Sequence, residues 1–209
     1  WGAATTYGET TYTYDLFEPA PTILTDAALV EGCPHAGLAL TRSGVLYAWG
    51  YPSYGQLGDG SMVSRPTPRP VPISNVVDAD LGLYHACAVL GDGTVWCWGV
   101  NGAGQIGDGT LTTRPRPVRV GTITDALAVR AMARNTCVLR GTPGSRYVTC
   151  WGDNSYGQLG LGVPSTTPVR VRFESVRRAM PKSVIFSSPL GASYMMFAGL
   201  MSRCTTWFW

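Results

Sequence analysis

Apolar runs flank a short glycine turn on both sides in LGLYHACAVLGDGTVWCWG, residues 81–99. Centring the turn on Asp92 pairs Leu90 with Thr94, Val89 with Val95, Ala88 with Trp96 and Cys87 with Cys97 in an antiparallel hairpin. A strand has period two, so Cys87, Val89, Val95 and Cys97 share one face and Ala88, Leu90, Trp96 and Trp98 the other. Both faces are apolar. The hairpin therefore expects a packed neighbour on each side, as in a stack of sheets.

The pattern recurs. Trp-Gly stands at 1–2, 49–50, 98–99 and 151–152, at intervals of 48, 49 and 53 residues. Six residues after each of the last three tryptophans comes a glycine loop: Gly55-Gln56-Leu57-Gly58, Gly104-Gln105-Ile106-Gly107 and Gly157-Gln158-Leu159-Gly160. A proline-studded segment follows each, Arg65-Pro66-Thr67-Pro68, Arg114-Pro115-Arg116-Pro117 and Thr167-Pro168, and Glu18-Pro19-Ala20-Pro21 fits the first copy. The end of the chain keeps Leu190-Gly191 and closes on Trp207-Phe208-Trp209, which matches Trp96-Cys97-Trp98. About four units result, approximately 1–48, 49–97, 98–150 and 151–209, the first and last degenerate. A unit of that length holds four strands of about five residues with their turns, the content of one propeller blade.

The match of Gly82-Leu83-Tyr84-His85, Leu90, Asp92-Gly93, Val95, Trp98-Gly99, Asn101 and Gly104-Gln105-Ile106-Gly107 to G-x-x-H…L…D-G-x-V…W-G-x-N…G-Q-L-G resembles the repeat of the regulator of chromosome condensation family. That resemblance implies an all-β chain, a single partial propeller over 1–209 with about four blades of the seven its relatives carry. The chain is thus expected to be part of a longer one. Relatives that exchange nucleotide on a small GTPase carry a wedge-like hairpin inserted in one blade, and the intervals between Trp1 and Trp151 leave no room for it. Another relative, a secreted inhibitor of β-lactamases, presses one rim of aromatic and polar loop residues onto its target.

Composition narrows the function. Charged residues make up only 14%, with 16 Lys or Arg against 13 Asp or Glu and a formal charge of +3, and the basic residues are scattered. No nucleic-acid partner is expected. No apolar run of about 18 residues exists, so no membrane insertion is expected either.

Four of the six cysteines fall at matched positions. Cys97 and Cys150 precede the repeat tryptophan, and Cys87 and Cys137 sit across the hairpin from them, the second hairpin being three residues longer in its turn, Thr142 to Arg146. In the other units Ala48 faces Gly37 or Leu38, and Phe208 faces Met196 or Ala198. Cysteines present or absent together argue for disulfides Cys87–Cys97 and Cys137–Cys150, because directly opposed residues lie within bonding range. Closing such loops stabilises by roughly 3 kcal/mol in the chain-entropy model. Disulfides imply an extracellular or cell-envelope location; buried thiols in a cytoplasmic propeller are the alternative. Cys33 and Cys204 are unassigned.

Catalytic readings find little support. The glycine loop lacks the Lys of a phosphate-binding loop and a following helix, and a loop repeated in every unit serves structure. Asp59 and Asp108 offer one carboxylate per loop against the 6–8 oxygens of a calcium site. No C-x-x-C zinc signature occurs. His35 and His85 share the G-x-x-H position and read as structural histidines. No catalytic residue, metal or cofactor is expected. What remains is a protein-interaction module, with an exchange factor for a small GTPase or a secreted enzyme inhibitor as alternatives. Its candidate contacts are Tyr51, Tyr54, Asn101, Asn154 and Tyr156 on a loop rim and Arg65 and Arg114 on the connecting segments.

Overall fold

The computed structural model describes residues 24, 26–51, 53–160 and 164–171. The degenerate segments at both ends, including Trp1-Gly2, Glu18–Pro21 and Trp207–Trp209, lie outside the described residues.

Among the described residues, twelve strands form three four-stranded antiparallel meanders. The first holds β1 (Ala27–Cys33), β2 (Ala36–Thr41), β3 (Leu46–Gly50) and β4 (Arg65–Pro70); the second β5 (Val76–Leu81), β6 (His85–Leu90), β7 (Val95–Gly99) and β8 (Arg114–Arg119). The third holds β9 (Ala126–Ala131), β10 (Asn135–Thr142), β11 (Ser145–Gly152) and β12 (Ser165–Arg170). Counted from Trp to Trp, the repeat 49–97 runs from the end of β3 to the middle of β7 and 98–150 from β7 into β11, so each of these two repeats spans two sheets.

The hairpin register is the one that centring the turn on Asp92 predicts, Cys87 opposite Cys97, Ala88 opposite Trp96 and Val89 opposite Val95. Its turn closes through Leu90 N–H to Thr94 O at 2.9 Å, with Gly93 at φ 75°. The next sheet crosses so close that a Cβ on Gly93 would strike the Thr124 carbonyl, and glycine alone meets both conditions. In the first sheet Ala48 faces Leu38. In the third, the three extra residues do not lengthen the turn as expected but the strands: pairing continues through Gly141 opposite Arg146 to Thr142 opposite Ser145, leaving only Pro143-Gly144 to reverse the chain.

The middle sheet is apolar on both faces because it separates two cores. Ala86, Ala88 and Trp98 pack toward Leu38, Leu40, Leu46 and Ala48 of the first sheet, with Leu90 at the margin. Cys87, Val89, Val95 and Cys97 pack toward Val129, Val138 and Trp151 of the third. Burying the whole of Trp98, on the order of 200 Å², contributes up to about 5 kcal/mol.

The last strand of each sheet is an edge. Val71, Val120 and Val171 donate inward to Leu46, Val95 and Val148 at 2.8, 2.8 and 2.9 Å. Residues out of phase with them point their backbone away from the sheet, and these include Pro66, Pro68 and Pro70 in β4, Pro115 and Pro117 in β8 and Pro168 in β12. Proline thus removes the outward N–H groups on which a further strand would pair.

Candidate functional site: the loop rim

The pairs Ala36–Gly50, His85–Gly99 and Asn135–Gly152 mark one end of the three sheets. From this end emerge the short β1–β2, β5–β6 and β9–β10 turns and the long β3–β4, β7–β8 and β11–β12 loops. The long loops share one internal brace. The Gln56 side chain donates to Tyr51 O at 2.6 Å and accepts from Tyr54 N–H at 3.0 Å; Gln105 and Gln158 accept likewise from Ala103 and Tyr156. Asn101, fully buried, accepts from Ile106 N–H at 2.9 Å and donates to Thr110 O at 2.9 Å, and Asn154 accepts from Leu159 N–H at 2.7 Å. These two asparagines shape the loops from inside.

Arg65 and Arg114 close the loops at their base. Arg114 Nε donates to Asp108 Oδ2 at 2.7 Å, and Arg65 pairs with Asp59. Burial works against ionisation of both aspartates, but hydrogen bonds from Ser61 or Thr110 and the paired guanidinium outweigh it and hold the carboxyls below their ordinary range.

The first two loops also receive the following sheet. Trp98 Nε1 donates to Gln56 O, and Trp151 Nε1 to Gln105 O, both at 2.9 Å. Gly58 and Gly107 lie beneath these indoles; a Cβ on Gly107 would come 2.5 Å from Trp151 Nε1. Gly60 and Gly109 N–H donate to Pro115 O and Thr166 O at 2.8 and 3.0 Å, using edge-strand carbonyls that point outward. The repeated glycine loop is therefore a socket for the neighbouring sheet.

His85 belongs to the same junction. Thr136 Oγ1 donates to Gln105 O at 2.8 Å, so its lone pair accepts from His85 Nε2–H at 2.9 Å. The Nδ1 atom is buried with no partner, and the desolvated imidazole is pushed down to about 4. His35 takes a different course. The position matching Thr136 is Ala86 there, which offers no hydroxyl, and the half-buried His35 ring instead stacks on Tyr84 at 6.0 Å and 9°. A second seam joins the first strands: Asp78 and Asp80 accept from Val129 and Ala131 N–H at 2.7 and 2.8 Å, while burial pushes both carboxyls up.

Of the sequence candidates, Tyr51, Tyr54 and Tyr156 stand out from the rim at 59%, 46% and 92% exposure. Tyr54 meets Tyr84 edge to face at 5.1 Å and 70°. Sequence reasoning did not place Tyr84 or His35 in a contact surface; their position in the turn directly before β6 and β2 was the available signal. The expected cysteine pairs are bonded, with Cα–Cα 4.1 Å in each. Among the described residues no group of three His, Cys, Asp or Glu converges to hold a metal ion, and no helix is long and apolar enough to cross a membrane.

Successive four-stranded meanders, the first two each capped by a socket for the next, define a repeat protein of the β-propeller class. The regulator of chromosome condensation (RCC1) repeat matches residues 43–89, 92–139 and 148–184, and a second model of that repeat matches 76–105. The chain belongs to the RCC1 repeat family. Human WBSCR16 superimposes with a TM-score of 0.61 at 22% identity, over 70% of this chain and 40% of that one. Prp20p of Saccharomyces cerevisiae, whose structure was described with its binding to Gsp1p and histones, gives 0.63 at 18% identity over 72% and 39%. The chain thus spans about two-fifths of the length of these solved structures.

Proposed function

We propose that the chain is a non-catalytic protein-interaction module of an exported protein, with the loop rim as its binding surface and another protein as its partner. One observation carries this reading: the long loops are braced by buried Gln and Asn side chains, yet Tyr51, Tyr54 and Tyr156 are held outward on them. Preorganised loops bearing exposed aromatics lower the ordering cost of association and supply the residue types that dominate interface energies. Asn101 and Asn154 act in this surface as supports, and Arg65 and Arg114 as clamps at its edge. Prp20p, related in fold, binds Gsp1p and histones, which supports protein binding as the general mode and identifies no partner here.

Export rests on Cys87–Cys97 and Cys137–Cys150. A cytoplasmic exchange factor predicts reduced thiols, so this alternative is separated by trapping the thiols in intact cells. The rim reading is tested by a photo-crosslinking amino acid at 51, 54 or 156, with 69 and 119 on the edge strands as controls. Discrete adducts from the rim positions alone are expected. Equal labelling from the edge strands overturns the assignment.

A further inference from the structure

The rim over the first two sheets differs from that over the third in one respect: the outer segments of its loops, residues 34–35, 51–58, 82–84 and 100–107, contain no Asp, Glu, Lys or Arg. The nearest acids in the long loops, Asp59 and Asp108, are neutralised within their own loops by Arg65 and Arg114. Over the third sheet the rim changes character, with Arg134 and Asp153 in the corresponding turns. Within the uncharged sector three rings touch across the junction between sheets. Tyr54 stands at 70° to Tyr84, and Tyr84 lies at 9° to His35. Tyr51 is exposed on the same loop as Tyr54.

Two rings set edge to face make a V-shaped notch whose walls are flat, apolar and tipped with hydroxyl donors. We infer that this notch takes a proline-rich segment in the polyproline II conformation, which deepens the proposed rim reading and rests on it. Such a segment is preformed, has three residues per turn and makes no internal hydrogen bonds, so its carbonyls accept from phenol hydroxyls while its rings pack on aromatic walls. Absence of charge on the notch matches a ligand without charge. A charged peptide gains no ion pair in this sector, and its desolvation is uncompensated. Tyrosine also fits the task energetically, because it immobilises few torsions for a large contact area.

The test uses the full chain with two probes: a decamer of proline, titrated by calorimetry, and a phage-displayed random 12-residue library. Saturable binding of the decamer, and library peptides enriched in Pro-x-x-Pro, are expected. Tyr54→Ala and Tyr84→Ala each weaken binding by about tenfold or more, Tyr84→Phe weakens it less, and Arg119→Ala on the exposed β8 edge strand leaves it unchanged. Urea midpoints of the variants confirm that they fold. Rim-dependent peptides without proline, including any centred on Lys or Arg, overturn the proline inference and leave the rim reading standing. If no peptide binds, or if binding ignores Tyr54 and Tyr84, both fall.

Discussion

Lowering the pH should weaken the junction between the second and third sheets through one residue. His85 is fully buried, its Nε2–H is committed to Thr136, and burial holds its pKa at about 4 against 6.5 for the free side chain. The unfolded chain takes up the proton first as pH falls. The stability associated with neutral His85 is therefore complete above about pH 6.5, declines as pH falls toward 4, and changes no further below that. At about 1.4 kcal/mol for each pH unit, the interval amounts to about 3 kcal/mol. Carboxylates titrate in the same range with mixed sign: Asp78 and Asp80 have raised values and favour the folded state as they protonate, whereas Asp59 and Asp108 have lowered values and act the other way. Comparing the wild type with His85→Gln cancels these contributions. Urea unfolding of both proteins at pH 7, 6, 5 and 4 should show the stability advantage of the wild type shrinking by about 3 kcal/mol across the series. A difference that stays constant to within about 0.5 kcal/mol would falsify the buried, neutral assignment.

Three further perturbations probe the same architecture. Gly107→Ala places a Cβ against Trp151 at φ 77° and should cost well above the roughly 1–2 kcal/mol of left-handed strain alone, whereas Gly157→Ala, at φ 71° with open space around it, should cost only that strain; thermal unfolding compares them. Alkylation of the unreduced, denatured chain followed by peptide mapping should leave Cys87, Cys97, Cys137 and Cys150 unmodified, and Cys87→Ser with Cys97→Ser should lower stability by roughly 3 kcal/mol under oxidising conditions and by much less with reductant present. Thr136→Val leaves the buried His85 N–H without an acceptor and should cost about 1–3 kcal/mol, most of it recovered by Thr136→Ser; chemical denaturation measures both.

Much of this structure is written in local patterns. The Asp92 turn sets the hairpin register because its glycines permit only a short reversal, and the register in turn places Cys87 opposite Cys97. The period of Trp-Gly signals sheets that stack on one another. What is not local is harder to read. His35 and His85 occupy the same repeat position, but their orientations are decided by Ala86 and Thr136, which lie one unit further along the chain. Asn101 and Tyr54 both look like exposed loop residues in the sequence. Only the closure of the loop around Asp108 and Thr110 draws one inward, and only the approach of Tyr84 from the next sheet gives the other a partner. Asp78 and Asp80 look like surface carboxylates until β9 is brought alongside them.

The offset between repeat and sheet bears on how such a chain lengthens. A cut at Trp49-Gly50, Trp98-Gly99 or Trp151-Gly152 falls inside the third strand of a sheet, so a unit inserted there completes the sheet before it and begins the sheet after it. Both joins exchange like for like: the new tryptophan meets a glycine loop, and the new glycine loop meets a tryptophan. Duplicating a gene segment of about 49 codons can thus add one blade while every sheet keeps four strands, and no free sheet edge is created at the seam. Copy number becomes a quantity that recombination changes in whole steps, and the rim gains one more set of loops, free to diverge, with each step.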